Sequence, residues 1–320
     1  MKYRQLGSSG ITVSDIGFGA WGIGGPTDGL TSYGETDDRV SLAALERALD
    51  RGVTFFDTSS VYGYGRSETL IGRAFKSVRE RVVIATKAGF TRWDAAPDFG
   101  PDAIIRSCEQ SLERLQTGYV DLLQLHNPSM ETIRDREAIA ALERLVQQGK
   151  TRAWGLSMRS PEEALTALGE VRPAALQVNL NMMDARAVTS GLLDAARKAG
   201  VGIIARTPLC FGFLSGAVGP GTVFPPGDHR RGWPPAQIET WRSGAERVLA
   251  AVPHPAGSTA TQAALRFCLS FPAVSTVIPG MLTPAEVDEN TAASELGMLP
   301  EAAVEAVLAL NRTQSFFVRG

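Results

Sequence analysis

The sequence predicts an α/β protein that folds as one (β/α)8 barrel, also called a TIM barrel. Short apolar runs, suited to strands buried on both faces, alternate with helical patterns along most of the chain. About eight strand–helix units can be counted, and this number favours a closed barrel over an open sheet. The length of 320 residues also suits one barrel with insertions, so we expect a single domain over residues 1–320.

The elements follow one another in a regular order. Residues 3–13 are predicted to form an N-terminal β-hairpin around a Gly/Ser turn, at the bottom of the barrel. The eight strands are predicted near 15–20, 53–57, 82–87, 120–125, 151–156, 174–178, 201–205 and 275–278. Helices are predicted near 40–49, 67–76, 102–115, 132–148, 161–168 and 187–199, with a last helix from Pro284. Asp37 or Asp38 is expected to cap the first helix and Gly52 to end it.

One long irregular segment interrupts this order. Residues 207–235 are rich in glycine and proline and follow the seventh strand. Loops of this length inside a compact domain are usually lids or disordered segments. Because the segment follows the carboxyl end of a strand, we expect an active-site loop that acts as a lid over a ligand.

The amino-acid composition indicates which kinds of binding partner and which cellular compartment to expect. The formal net charge of -2 gives no reason to expect nucleic acid or an acidic membrane surface as a partner. We expect no signal peptide and no membrane span, because no apolar run is long enough for either role. Cys108, Cys210 and Cys268 fit neither a metal-ligand spacing nor a disulfide framework. We therefore expect a reduced, cytoplasmic protein without a metal, and the sequence leaves its oligomeric state open.

Three predicted strands end in ionisable residues, for which a buried strand has no structural use. Asp57 closes the run 53–57, Lys87 closes 82–87 and His126 closes 120–126, while Tyr62 lies five residues after Asp57. The carboxyl ends of barrel strands are where the chemistry of this fold is done. We therefore expect an acid, a phenol, an amine and an imidazole to meet there.

These four residue types suit proton transfer to a carbonyl oxygen. When hydride arrives at the carbonyl carbon, negative charge grows on oxygen and a proton must be supplied. Tyr62 is the candidate general acid, and a nearby Lys87 ammonium favours its phenolate and eases release of the proton. Asp57 would keep Lys87 charged and aimed, and His126 would orient the carbonyl oxygen.

Each of the four residues also has a structural explanation. Asp57 could cap a helix, Tyr62 could anchor a loop, Lys87 could be solvated, and His126 could be a satisfied structural residue. All four occur together in three successive units, and this combination favours the catalytic interpretation.

An ordered set of motifs resembles the aldo-keto reductase superfamily over essentially the whole chain. The matching stretches are Phe56-Asp57-Thr58, Tyr62-Gly63 with Ser67-Glu68, Ala85-Thr86-Lys87, 121–126, 154–157, Gln177, Pro208-Leu209 with 212–216, and 278–280 to Glu289-Asn290. The resemblance implies a (β/α)8 barrel, a nicotinamide cofactor bound without a Rossmann fold, and the catalytic tetrad Asp57, Tyr62, Lys87 and His126. Consistent with this, Gly22, Gly24 and Gly25 lack the spacing of a dinucleotide-binding fingerprint.

The resemblance also implies cofactor contacts. Ser157 and Gln177 would hold the nicotinamide carboxamide, although Met158 stands where the family often has Asn. Arg206 occupies a position where the family commonly has an aromatic residue that stacks on the nicotinamide ring. We expect the charge of Arg206 to favour binding of the reduced cofactor. Alternatively, its side chain turns away and pairs with a carboxylate. The remaining expected contacts are Pro208, Leu209, Gly212, Leu214, Gly216, Arg230, Gly280, Glu286, Glu289 and Asn290.

The choice between NADPH and NADH stays open at this point. Residues 212–216 would cradle the pyrophosphate, but Ala217 stands where a Lys often follows. Glu286 stands where an Arg often clamps the 2′-phosphate of NADPH, and a carboxylate suits a ribose hydroxyl instead. Arg230 or Arg231 could still reach a phosphate, and the family as a whole favours NADPH.

The substrate is expected to be a small-molecule carbonyl compound, an aldehyde or a ketone, with a keto-sugar among the candidates. Trp21, Tyr62, His126 and either Phe90 or Trp93 would line the barrel mouth. Two alternatives remain. The chain could be a regulatory or redox-sensing subunit that binds nicotinamide, similar to the cytosolic subunits of potassium channels, or a dehydrogenase that oxidises a sugar or alcohol.

Overall fold

The computed structural model describes residues 1–318, which contain ten strands and twelve α-helices. The strands are β1 (Tyr3–Gln5), β2 (Thr12–Ser14), β3 (Phe18–Gly19), β4 (Phe55–Asp57), β5 (Val83–Ala88), β6 (Val120–His126), β7 (Thr151–Ser157), β8 (Ala175–Asn179), β9 (Gly202–Arg206) and β10 (Val274–Ile278). The helices are α1 (Asp38–Asp50), α2 (Arg66–Phe75), α3 (Pro101–Leu115), α4 (Met130–Asp135), α5 (Glu137–Gln147), α6 (Pro161–Glu170), α7 (Arg186–Thr189), α8 (Leu192–Ala199), α9 (Pro235–Ala250), α10 (Ala260–Leu269), α11 (Pro284–Leu296) and α12 (Glu301–Thr313).

Eight of the strands form the expected parallel barrel. They pair in chain order from β3 to β10. Parallel bridges join Ile16 to Val277 and Gly19 to Gly280, so the first and last strands meet. The prediction of a (β/α)8 barrel is confirmed, and the carboxyl ends of all eight strands therefore lie at one mouth.

The predicted N-terminal hairpin forms from β1 and β2 and covers the bottom of the barrel. Leu6, Ile11 and Val13 of the hairpin are buried and belong to one apolar cluster with inward-facing strand residues such as Phe55 and Leu122. The interior below the mouth is therefore a packed core, which leaves the chemistry to the opposite end.

The larger core lies between the sheet and the surrounding helices. Helix α1 begins as predicted, since the Asp37 carboxylate accepts hydrogen bonds from the backbone N–H groups of Arg39 and Val40. Helices α2, α3, α5 and α8 each turn an apolar side towards the strands. The barrel is thus held in a rigid helical shell.

The structure differs from the sequence prediction in four helical regions and one strand. The predicted helix 132–148 is divided into α4 and α5 at Arg136, whose φ is 71°. The predicted helix 187–199 is divided at Gly191 into α7 and α8. Two helices, α9 and α10, lie where no element was assigned before the last strand, and α12 follows α11. The first barrel strand is shorter than 15–20 and covers Phe18–Gly19.

The long segment after the seventh barrel strand is present as a loop between β9 and α9. It contains two short 3-10 turns, Cys210–Ser215 and His229–Gly232. Ser32 pairs with Asp228 through a backbone bridge, so this loop contacts the loop that follows β3. Within residues 1–318, no helix combines the length and the apolar character needed to cross a bilayer.

Candidate active site

The period-two alternation of the strands produces a polar layer in the upper half of the barrel. Five inward-facing positions in the interior core are apolar: Phe55, Ala85, Leu122, Ala175 and Ile204. Two residues further along the same strands, the inward-facing side chains are polar: Asp57, Lys87, Gln124, Gln177 and Arg206. Since residues i and i+2 point to the same face, these five side chains must converge above the apolar core.

Lys87 lies at the centre of this layer and contacts two other members of the expected tetrad. Its side chain is buried, and Nζ donates to Asp57 Oδ1 at 2.5 Å and to the carbonyl oxygen of Thr58 at 2.8 Å. The third donation is to Tyr62 Oη at 3.3 Å. The ammonium therefore joins a carboxylate on β4 to the phenol on the following turn, as expected from the sequence.

The pKa values show which effect dominates at this centre. Burial is the largest influence on Tyr62 and raises its pKa above 10; the Lys87 charge opposes it, and the net direction is upward. Burial pulls the pKa of Lys87 down, but Asp57 and Tyr62 outweigh it, so that pKa is raised. The expectation that Lys87 lowers the pKa of Tyr62 thus holds for the charge alone, because desolvation outweighs it.

His126 completes the group on the next layer of β6. The imidazole is 6% exposed, and Nδ1 lies 3.3 Å from Ser59 Oγ. Burial first, then the charges of Lys87 and Arg206, hold its pKa well below 6.5. His126 is therefore a neutral imidazole at physiological pH, able to donate a hydrogen bond but carrying no charge.

The second oxygen of Asp57 is held by two glutamines. Oδ2 accepts from Gln124 Nε2 at 3.1 Å and from Gln177 Nε2 at 2.7 Å, and Gln177 also donates to Gln124 Oε1 at 3.2 Å. Ser157 Oγ lies 3.5 Å from Gln177 Oε1. The expected carboxamide pair, Ser157 and Gln177, is therefore connected to the ion pair that supports Tyr62.

Gln124 is a site residue that the sequence interpretation missed. It is fully buried and stands between Leu122 and His126 on the inward face of β6. The sequence did contain a signal for Gln124. It is a polar residue in an otherwise apolar strand, two residues before the expected catalytic histidine and therefore on the same face.

The turn that carries Tyr62 depends on a close backbone approach. Tyr62–Gly65 forms a 3-10 turn in which Gly63 has a φ of 61°. A Cβ atom at Gly63 would lie 2.1 Å from the carbonyl oxygen of Gly24. Glycine at position 63 therefore lets the loop after β3 pack directly against the turn that presents the phenol.

Arg206 reaches from the end of β9 across the mouth. Its Nη2 donates to the carbonyl oxygen of Met158 at 2.9 Å, directly after Ser157. Its Nε is buried without a hydrogen-bond partner, and within residues 1–318 no carboxylate lies within 4.0 Å of the guanidinium. The alternative that Arg206 turns away to pair with a carboxylate is not what the structure shows.

The expected pyrophosphate cradle lies directly after β9. Pro208 and Leu214 are buried, Leu209 is half-buried, and Gly212 and Gly216 have φ values of 94° and 79°. This backbone is accessible at little cost only to glycine.

Arg230 lies over the same segment. Its Nη1 donates to the carbonyl oxygen of Phe211 at 3.1 Å, and its Nη2 pairs with the buried Asp228 at 2.6 Å. The guanidinium also lies between the rings of Tyr33 and Phe224, at 5.0 and 4.4 Å. Arg230 is thus placed near the cradle, with its charge already balanced by Asp228.

The segment expected at the adenosine end lies after β10. Gly280 is exposed, Glu289 is half-buried and Asn290 is buried. Glu286 forms a capping box with Thr283, and its Oε2 accepts from the N–H groups of Leu282 and Thr283 at 2.6 and 3.1 Å. One carboxylate oxygen of Glu286 therefore already caps α11, and its role towards a ribose stays a prediction.

Aromatic rings surround the tetrad. The Trp93 ring stacks 6.3 Å from Tyr62 and lies 6.0 Å from His126, and Phe90 lies 5.4 Å from His126. Phe90 and Trp93, which the sequence left as alternatives, therefore both lie at the barrel mouth. Trp21 lies instead in a second group on the same mouth, 4.8 Å from His229 and 5.0 Å from Tyr33.

The donor set at the mouth fits a nicotinamide dinucleotide. Ser157 and Gln177 offer hydroxyl and amide oxygens, as an amide ligand requires. Nε of Arg206 is a buried donor without an acceptor in residues 1–318, and a bound ligand could supply one. The left-handed glycines at 212 and 216 carry no Cβ that would keep a phosphate group from the backbone, but the N–H groups of Gly212 and Leu214 already donate to the Leu209 carbonyl oxygen at 3.0 and 3.1 Å.

Comparisons with known proteins show the family to which this chain is similar. The model of the Aldo/keto reductase family matches residues 15–312. An L-galactose dehydrogenase of Arabidopsis thaliana is 32% identical over 96% of this chain and 94% of its own length. A probable voltage-gated potassium channel subunit beta of the same plant is 30% identical, over 92% of each chain.

The solved structures include close matches in fold. The glycerol dehydrogenase of Gluconobacter oxydans superimposes with a TM-score of 0.80 at 28% identity, and covers 97% of this chain and 95% of its own. The likeness extends over the entire barrel.

Proposed function

This chain belongs to the aldo/keto reductase family and is an NAD(P)H-dependent oxidoreductase of that family; from this premise we propose that it reduces an aldehyde or ketone to an alcohol, with Tyr62 as general acid. One observation carries the proposal: a buried Lys87 ammonium contacts both Asp57 and the Tyr62 hydroxyl.

Each residue of the tetrad has a distinct role. The cofactor, when bound, supplies the hydride to the carbonyl carbon. Tyr62 Oη donates its proton to the carbonyl oxygen as that oxygen gains the electron pair of the C=O π bond. Lys87 stabilises the phenolate left behind, Asp57 holds Lys87, and neutral His126 donates a hydrogen bond to the same oxygen.

Cofactor contacts follow from the positions at the mouth. Ser157 and Gln177 would hold the carboxamide, and Pro208, Leu209, Gly212, Leu214 and Gly216 would line the pyrophosphate segment. Gly280, Glu286, Glu289 and Asn290 would lie at the adenosine end. Because Arg230 is balanced by Asp228 and Glu286 is acidic, this end supports NADH over NADPH. Parallel titrations with the two reduced cofactors test this choice.

The substrate class is proposed to be a small polyhydroxylated carbonyl compound such as a keto-sugar. Trp21, Trp93 and Phe90 offer flat apolar faces near a mouth that also carries hydroxyl, imidazole and guanidinium groups. The names of two relatives, an L-galactose dehydrogenase and a glycerol dehydrogenase, support a polyol-type substrate. The same residues serve oxidation of such an alcohol, because each proton and hydride step is reversible.

The decisive test is Tyr62→Phe, with Tyr64→Phe as its matched control. Both are tyrosines of one turn, but the Tyr64 hydroxyl has no hydrogen-bond partner within residues 1–318. Absorbance loss of NADH or NADPH is followed with a panel of aldehydes and keto-sugars, and cofactor affinity is measured separately. We expect Tyr62→Phe to bind cofactor and lose turnover, and Tyr64→Phe to keep both.

A second candidate function is supported by the likeness to a potassium channel subunit beta. A regulatory subunit of this kind would bind cofactor tightly with almost no turnover in the wild type. The same panel separates the two, since steady wild-type turnover that depends on the Tyr62 hydroxyl contradicts a purely regulatory role.

A further inference from the structure

We infer that Arg206 sets the redox preference of this site, so that the protein binds the reduced dinucleotide more tightly than the oxidised one and operates mainly in the direction of reduction. The inference deepens the proposed function and rests on it. It is argued from the charge balance at the barrel mouth.

Among the charged groups that act on one another around Tyr62 and His126 in residues 1–318, Arg206 is the one without an ion-pair partner. Asp57 and Lys87 form an ion pair at 2.5 Å and cancel each other, while Tyr62 and His126 are neutral. Asp184, the other carboxylate whose charge acts on Arg206, is paired with Arg186 at 2.8 Å. These groups together therefore carry one net positive charge, that of Arg206.

The guanidinium is held where its charge acts on the reacting groups. It spans from β9 to the Met158 carbonyl, beside Ser157 and the Gln177 amide on the intervening strand. Its charge lowers the pKa of His126 and opposes the rise in the pKa of Tyr62. A nicotinamide ring close enough to transfer hydride to a carbonyl held by Tyr62 and His126 lies within the same field.

Hydride transfer changes the charge of that ring. A reduced nicotinamide is neutral; when it gives up a hydride with its electron pair to the carbonyl carbon, the ring becomes a cation, and the proton that Tyr62 donates completes the alcohol. A second positive charge beside Arg206 is unfavourable because burial leaves little water to screen the two. The oxidised cofactor is therefore bound more weakly and released more readily.

The test measures binding rather than turnover. Dissociation constants for oxidised and reduced cofactor are measured for the wild type, Arg206→Met and Arg206→Lys by quenching of tryptophan fluorescence and by calorimetry. Arg206→Met keeps an unbranched side chain as far as the position of Nε and removes the charge, and Arg206→Lys keeps the charge. The double variant Asp184→Asn with Arg186→Met is the matched control, because it removes a nearby arginine together with the carboxylate paired with it and leaves the net charge unchanged.

We expect the ratio of oxidised to reduced dissociation constants to fall about tenfold to a hundredfold in Arg206→Met, in line with one buried charge interaction. The ratio should remain near the wild-type value in Arg206→Lys and in the double variant Asp184→Asn with Arg186→Met. Thermal melting confirms that each variant is folded before its binding is compared.

The two proposals fail in different ways. If the wild type binds neither cofactor form, the proposed function is wrong. If it binds both and turns over a carbonyl substrate, but Arg206→Met leaves the ratio unchanged, the inference is wrong and the function stands. A ratio that shifts equally in the double variant Asp184→Asn with Arg186→Met also overturns the inference, because the effect would then not belong to the unpaired charge.

Discussion

Replacing Lys87 by Met tests the link between the buried ammonium and the general acid. The substitution keeps an unbranched side chain one atom shorter and removes the hydrogen bonds to Asp57 Oδ1, the Thr58 carbonyl oxygen and Tyr62 Oη. A hydrogen bond from a charged donor contributes about 1.5–3 kcal/mol, which corresponds to a roughly 10- to 150-fold lower kcat if the phenolate loses that support. The contact of 3.3 Å is long, so the lower part of this range is expected.

The pH dependence of kcat shows in which direction the pKa of Tyr62 changes when Lys87 is replaced. Reduction needs the protonated phenol, and burial already raises the pKa of Tyr62 above 10. Wild-type kcat should therefore be flat through neutral pH and fall only as the pH rises through that raised value. Without the Lys87 charge the pKa rises further, so the alkaline fall should move upwards in Lys87→Met. The assay is cofactor absorbance with a saturating aldehyde, repeated from neutral to strongly alkaline pH.

The free energy of unfolding of the variants is the control for this experiment. Lys87→Met leaves the Asp57 carboxylate buried with Gln124 and Gln177 as its only side-chain donors among residues 1–318, and breaking a buried pair costs about 3–5 kcal/mol. The double variant Asp57→Asn with Lys87→Met removes both charges and should regain most of the free energy of unfolding while remaining inactive. Wild-type kcat in Lys87→Met, or an alkaline fall that moves to lower pH, would refute the reasoning.

Two further predictions concern residues beside Lys87. The pKa of His126 is held well below 6.5 in the folded protein, whereas an unfolded imidazole takes up a proton near 6.5, so the free energy of unfolding should decrease as the pH falls below that value. Urea unfolding at pH 5 and 7.5 should show a smaller difference in His126→Gln, and an unchanged difference would contradict the assignment. Gly63→Ala forces a Cβ within 2.1 Å of the Gly24 carbonyl at a φ of 61° and should cost about 1–2 kcal/mol of stability and at least several-fold in kcat. Gly118→Ala, which meets open space, should change neither quantity, and equal behaviour of the two variants would disprove the role of the close contact.

The barrel could be predicted from the sequence because local and global signals agree. Each buried strand is a short apolar run followed by a helical pattern, and the eight runs coincide with the eight barrel strands. Three ionisable residues at strand ends predicted the candidate site for the same reason, and the structure brings Asp57 and Lys87 into contact there. Helix α10 was not predicted, although its sequence contains a local signal. Thr259 and Gln262 form a capping box at its start.

Other features depend on contacts that are distant along the chain. Arg136 adopts a φ of 71° and divides α4 from α5 while its guanidinium donates to the carbonyl oxygen of Glu170, which no local pattern reveals. The role of Gln124 depends on Asp57, 67 residues away. The raised pKa of Tyr62 depends on burial, which the nearness of a lysine in sequence could not indicate.

The hydrogen bonds to Asp57 tie the chemistry to the closure of the barrel. Its two carboxylate oxygens receive donors from β5, β6 and β8, so one side chain of β4 bridges half of the ring of strands. Fraying of any one of these strands would remove a hydrogen bond from the carboxylate that holds Lys87, so we expect a partly open form to lose activity. Loss of turnover on heating should therefore coincide with cooperative melting, and the backbone amides around this junction belong to the slowest class in hydrogen exchange.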